Sequence, residues 1–280
     1  MGSWDVLRER LLSIFTMTDL EHLQCVLLLI AKDLDRLCRK HGIPYYLNGG
    51  NAIGAIRHKG FIPWDDDFDI MLTAEHYERF IRACRKELDP SQYYIQEGGV
   101  DWPMMYSKIR LRNTFVKDKE EYPGTPKGCD GIWVDVFKLD HVSNTRPIQV
   151  WQYVCGKFYN AYTLRKRGYK SASFHKKLIM SMTCLLDIPF IRRWCLYQTT
   201  KYNGKHTAFI GSFWESTRLR NAILPFNMYG VPRYVTYEDT ELPVPENYDA
   251  YLTRIFGDYM TLPPEEKRAY HISEVDFGKY

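Results

Sequence analysis

The sequence predicts an α+β fold: a mixed sheet flanked by helices, followed by a mostly helical, basic second half. Three observations carry this. Apolar residues recur at helical spacing in two stretches before position 90. Short apolar or alternating runs at 43–47, 68–72, 93–96, 105–111 and 132–139 read as strands. After His141 the strand signals weaken and basic, helix-forming stretches take over. A catalytic core at 1–141 and an extension at 142–280 follow from that order.

Each element has a local cause. Thr18, Asp19, Leu20 and Glu21 make a capping box, in which the Thr18 and Glu21 side chains accept each other's backbone amides. Leu20, Leu23, Leu27, Ile30, Leu34 and Leu37 follow at helical spacing, and Lys40, His41 and Gly42 close the helix with positive charge and a C-cap glycine. The strand at 43–47 ends at Gly49 and Gly50, and 51–58 reads as a short helix. Pro63 and an acid cluster lead into the strand at 68–72. Thr73 caps a helix through Leu88 that carries Tyr77, Phe80, Ile81 and Cys84 on one face. The runs at 93–96, 105–111 and 132–139 are further strands of one sheet. Residues 142–214 form a basic lobe, and an amphipathic piece at 247–256 lies in a C-terminal segment that packs back on the core.

With 280 residues, 45% apolar and 26% charged, the chain can bury a core without disulfides or a metal staple, and disorder is excluded. The longest apolar run, at 26–31, falls far short of the roughly 18 residues a membrane span needs. Asp5 follows Met1 closely with no apolar region, which argues against a signal peptide, and Val6 argues against myristoylation of Gly2. Seven cysteines without a CxxC pair read as thiols in a reducing compartment. The expected location is cytoplasmic, compatible with a peripheral place on the inner face of the membrane. The net charge of +4 hides an asymmetry: between Val142 and Trp214 stand twelve basic residues and one acid, Asp187. That lobe suits an anionic partner or a solvated helical face. Nucleic acid is not expected, because no binding motif accompanies the charge. Residues 165–197 set cations beside an apolar helix, which fits either peripheral membrane contact or an ordinary core helix with a charged entry.

The chemistry concentrates in positions 45–72. Asp65, Asp66, Asp67 and Asp69 repel one another and need cations or strong donors. Strand alternation puts Asp67 and Asp69 on one face while Phe68 and Ile70 enter the core, a platform for a hard divalent cation. A calcium loop is ruled out, since Ile70 and His76 stand where glycine and glutamate are required. Gly49 and Gly50, between strand and helix, let backbone amides approach phosphate oxygens. A glycine pair followed by an Asp-apolar-Asp strand is the nucleotidyltransferase signature. Asp135, in an otherwise apolar strand, needs a metal or an ion pair with Lys108 or Arg110. Lys108, Arg110 and Arg112 alternate along one strand, and three cations on one face call for an anion. Arg57 and His58 end the helix that follows the glycines.

The segment LNGGNAIGAIRHKGFIPWDDDFDIM (47–71) resembles the core motif of the LicD family, which includes bacterial phosphocholine transferases and is related to the fukutin-type phosphosugar transferases. The resemblance extends to DVFKLD (135–140), to VPENYDAYL (244–252), to GDYM (257–260) and to the proline pair at 263–264; 142–235 match least. Asn51 and Ala52 stand where the family more often has a small hydroxyl residue and leucine.

The resemblance implies a nucleotidyltransferase-like fold and a metal-dependent phosphotransferase. Asp67, Asp69 and Asp135 would be catalytic and hold Mg²⁺ or Mn²⁺, with Asp135 drawing the proton from the acceptor hydroxyl. Gly49, Gly50, Asn51, Arg57, His58, Lys108 and Arg110 would bind the diphosphate of a CDP-linked donor, CDP-choline before others. Trp64, Tyr106 and Tyr259 would face a choline head. The acceptor would be a hydroxyl of a cell-surface glycan, such as lipopolysaccharide or teichoic acid, lipid-linked if the basic lobe lies on a membrane, and CMP would leave. A phosphoalditol (ribitol or glycerol phosphate) or a nucleotide could be the cargo of the same site, and a non-catalytic glycan- or nucleotide-binding module is the alternative from another class.

Overall fold

The computed structural model describes residues 18–117, 126–169, 173–214, 218–268 and 274–280. The N-terminal readings at 1–6, and Lys170 of the basic lobe, lie outside them. Helix α1 (Asp19–His41) begins in the predicted capping box, with Thr18 N–H donating to Glu21 at 2.8 Å and Glu21 N–H to the Thr18 hydroxyl at 3.3 Å. It ends where Gly42 adopts φ 55°, a left-handed conformation that costs glycine little.

Strand β1 is only Tyr46–Leu47. Asn48 continues it by donating its N–H to the Asp69 carbonyl at 3.0 Å, and then stands at the N-cap of α2 (Gly49–Arg57). The helix thus starts two residues before the sequence reading placed it: the glycine pair is its first turn, since Gly49 can take φ 50° and turn strand into helix without a loop. Strand β2 (Asp69–Thr73) leads directly into α3 (Ala74–Glu87), capped by Thr73. Strands β3 (Tyr93–Gln96), β4 (Ser107–Leu111), β5 (Phe115–Val116) and β6 (Trp133–Val142) follow.

The second half holds α4 (Arg146–Arg167), α5 (Phe174–Met182), a 3₁₀ turn (Thr183–Asp187) and α6 (Pro189–Thr200). It also contributes strands: β7 (Phe209–Gly211), then α7 (Leu219–Ala222), β8 (Ile223–Pro225), the hairpin β9 (Arg233–Tyr237) and β10 (Thr240–Val244), α8 (Tyr248–Phe256) and β11 (Val275–Asp276). The main sheet runs β1-β2-β6-β4-β3, with β7 added to the end of β6 and β8 to β7; β2 and β6 are parallel and the other pairs antiparallel. Strands of three residues leave almost no periodic signal, which is why β7 and β8 were not legible. The larger apolar core draws Leu27, Ile30, Ile70, Phe80 and Val136 together with Ile210, Tyr237, Leu242 and Leu252. A smaller one under the lobe gathers Val142, Tyr159, Leu186, Cys195, Phe213 and Trp214. The chain is therefore an α+β protein with a mixed sheet flanked by helices, the class expected of it.

Candidate active site

Strand register aligns four polar side chains across the sheet. Asp69 of β2 stands opposite Asp135 of β6, Asp135 opposite Lys108 of β4, and Lys108 opposite Gln96 of β3. Residues paired across neighbouring strands project to the same face, so the four make one continuous row. Lys108 Nζ lies 3.2 Å from Asp135 Oδ1, and both groups are largely withdrawn from solvent. Sequence had offered this ion pair as the alternative to metal for Asp135, and it is present. It leaves the carboxylate incompletely satisfied. Asp135 Oδ2 accepts from Trp133 Nε1 at 3.1 Å, but buried Oδ1 has no contact with hydrogen-bond geometry. The Lys108 ammonium also sits in an aromatic box, 3.7 Å from the Trp133 ring centroid, 5.3 Å from that of Trp102 and 5.7 Å from that of Tyr106. Tyr106 stacks on Phe137 at 4.8 Å. Arg110, the next cation on β4, is buried; it donates to Gln96 Oε1 at 2.9 Å and to the Gly131 carbonyl at 3.1 Å, and lies over Trp133.

The acid cluster folds over the start of α2. Asp65 Oδ2 lies so close to Gly50 that a Cβ there would meet it at 2.7 Å, so glycine is required for this approach. That oxygen too is buried with no hydrogen bond. Burial first, then the charges of Asp67 and Asp66, push the Asp65 carboxyl up to about 8, and its side chain meets that of Asp67. Asn51 is spent on the protein itself. Its Oδ1 accepts from Asp69 N–H at 2.6 Å, and its Nδ2 donates to the Asp67 carbonyl at 3.2 Å and to the Tyr237 hydroxyl at 3.4 Å. With both amide protons used and almost no exposure, it positions the Asp67–Asp69 backbone and does not offer the phosphate donor that the sequence reading expected.

Buried carboxylate oxygens that lack a well-formed hydrogen bond are what a hard cation relieves, and Asp69 beside Asp135 could supply oxygen ligands from adjacent strands. Oxygen ligands of this kind suit a hard divalent cation, but Asp67, Asp69 and Asp135 are not gathered as one three-carboxylate group. Among the described residues, no three His, Cys, Asp or Glu side chains are already gathered as a metal-ligating group.

Arg57 contacts both His58 and Tyr259, and His58 contacts Trp64. Arg57 Nε donates to His58 Nε2 at 2.9 Å, and its Nη1 to the Tyr259 carbonyl at 2.6 Å. Burial, then the Arg57 charge, hold the His58 imidazole below its usual value. Trp64 meets His58 edge-on and lies beneath Arg268, while Tyr259 donates to Asp249 at 2.7 Å. Of the three aromatic residues expected around one head group, Tyr106 contacts Lys108, Trp64 contacts His58 and Arg268, and Tyr259 contacts Arg57 and Asp249.

Several positioning residues escaped the sequence reading. Gln24 of α1 donates to the carbonyls of Ile62 and Asp65. Glu238, at the hairpin tip, accepts from Phe61 N–H at 2.9 Å, and Tyr251 donates to Asn48 Oδ1 at 2.8 Å. Trp102 and Gln96 complete the Lys108 surroundings. Their only sequence signal was Tyr251, inside the matched tail.

The fold and this acid-lined end of the sheet define a nucleotidyltransferase-like domain. Residues 42–152 match the LicD/FKTN/FKRP nucleotidyltransferase domain family. The chain is 30% identical over 264 residues to the lipopolysaccharide cholinephosphotransferase LicD of Haemophilus influenzae, spanning 90% of this chain and 95% of that protein. An uncharacterised protein of Rickettsia prowazekii is 31% identical over 118 residues, 34% of this chain and 43% of its own. The chain belongs to the LicD family and is an enzyme of the phosphotransferase class.

Proposed function

We propose that the protein transfers a phosphocholine group from CDP-choline to a hydroxyl of a cell-surface glycan, releasing CMP. The observation that carries this is the row Asp69–Asp135–Lys108 with its incompletely satisfied carboxylate, beside a near-full-length relative that is a lipopolysaccharide cholinephosphotransferase. The acceptor oxygen attacks the phosphorus distal to cytidine, the bond from that phosphorus to the CMP oxygen breaks, and the hydroxyl proton passes to Asp135. Lys108 and Arg110 hold positive charge beside the diphosphate. Asp67, Asp69 and Asp135 would hold Mg²⁺ or Mn²⁺, which when bound neutralises charge on the phosphate oxygens. Asn51 keeps Asp69 in place, and at the start of α2 the open space over Gly49 leaves room for phosphate, while that over Gly50 is taken by Asp65.

The test is CMP release by purified protein with Mg²⁺ and CDP-choline, CDP-ribitol or CDP-glycerol, with and without glycan. Release from CDP-choline that needs glycan and metal is expected. Preference for an alditol donor would replace the cargo while keeping the site; release from none of the three would overturn the reading.

A further inference from the structure

We propose that the helical lobe is a membrane-docking surface, with α5, the 3₁₀ turn and α6 lying flat on an anionic bilayer. The inference is independent of the transfer reaction. Helix α5 buries none of its residues. Phe174 is 74% exposed, Leu178, Ile179 and Met182 are about half exposed, and the apolar run continues through Leu185 and Ile188 to Phe190, again 74% exposed. Along α6, Phe190, Trp194 and Tyr197 fall at i, i+4 and i+7 on one outward stripe, while Gln198 and Thr199 are buried. Helix α4 repeats the inversion, with Val150, Trp151 and Val154 outward and Gln149 and Gln152 inward. Trp151 and Trp194 meet edge-to-face at 6.0 Å and join the two stripes. A helix facing water does the reverse, and a contiguous exposed apolar surface of this kind marks a binding face.

Charge selects the occupant. Lys176, Lys177 and Arg193 are exposed beside the apolar side chains. The lobe's single acid, Asp187, is already held by Arg165 and Lys166, each at 2.7 Å. Cations rimming an apolar surface match lipid phosphates above acyl chains. A second copy of the chain would set like charge against like. Among the described residues no helix is long and apolar enough to cross a membrane, so the lobe lies on the bilayer.

The test is flotation of the full chain with vesicles of phosphatidylcholine alone or mixed equally with phosphatidylglycerol. Binding to the anionic vesicles only is expected, weakening as salt rises from about 0.1 M to about 0.5 M, with a blue shift of tryptophan emission. Phe174→Ser with Phe190→Ser should lower vesicle binding about tenfold or more, as should Lys176→Gln with Lys177→Gln, at roughly fivefold per cation. Circular dichroism confirms that both variants fold, and the charge variant decides the question if the apolar one does not. Equal binding to both vesicles, binding to neither, or a dimer that the apolar variant converts to monomer without lipid would each overturn the proposal.

Discussion

The acid-lined end of the sheet and the helical lobe place their side chains in opposite ways. At the sheet, charge goes inside: Lys108, Arg110 and Asp66 are buried, with Asp135 nearly so. In the lobe, Gln149, Gln152, Thr183, Gln198 and Thr199 go inside, while Phe174, Phe190 and Trp194 face outward. Both arrangements are costly for a protein meeting only water, the first through desolvated charge and the second through exposed apolar area. The contrast is what the two proposed partners would produce, a cation with a phosphorylated donor completing one region and lipid the other.

The comparison is broken most severely by Asp69→Asn. CMP release should fall by about three orders of magnitude with the melting temperature unchanged or raised; surviving activity would mean that the acid row is not where reaction occurs. Lys108→Met comes next. Leaving Asp135 without its cation should cost about 3–5 kcal/mol in urea unfolding, and a loss under about 1 kcal/mol would show that the pair is not what supports the buried carboxylate. The pH dependence should be smaller. The folded Asp65 carboxyl titrates near 8 against an ordinary 3.8, so the folded state keeps a proton that the unfolded chain has lost. Stability of metal-free protein therefore falls as pH rises from about 4 to about 8, by up to a few kcal/mol. Asp65→Asn should flatten that decline, as read by urea unfolding in chelator at pH 5 and pH 8. The smallest effect belongs to the lobe: Phe190→Ser should change stability by less than about 0.5 kcal/mol, because a 74% exposed ring holds nothing together. A larger loss would make the ring part of a core and remove the contrast.

Features with local causes were legible. The capping box at Thr18, the C-cap at Gly42 and the strand Tyr93–Gln96 all stand where the local signals put them, whereas β2 begins only at Asp69 and leaves Asp67 before the strand instead of on its face. The acids of the site were legible as residues, because clustered carboxylates and a charge in an apolar strand are anomalies in the sequence itself. Their partners were not. The pairing of Asp135 was legible only as a choice between metal, Lys108 and Arg110, and nothing local says which it is, that Asn51 turns inward to Asp69, or which groups Trp64 and Tyr106 contact. Each depends on register between distant strands or on where the β9–β10 hairpin and α8 come to rest.

By itself the sequence determined the kinds of element up to β6, the family and the chemical types gathered near the glycine pair, because hydrogen-bond capping, alternation and charge repulsion act between near neighbours in the chain. Only the tertiary structure decided which charges face each other and which side of α4, α5 and α6 meets the outside. Burial belongs to whatever packs against a face, and a helix's own periodicity marks two faces without saying which one is covered.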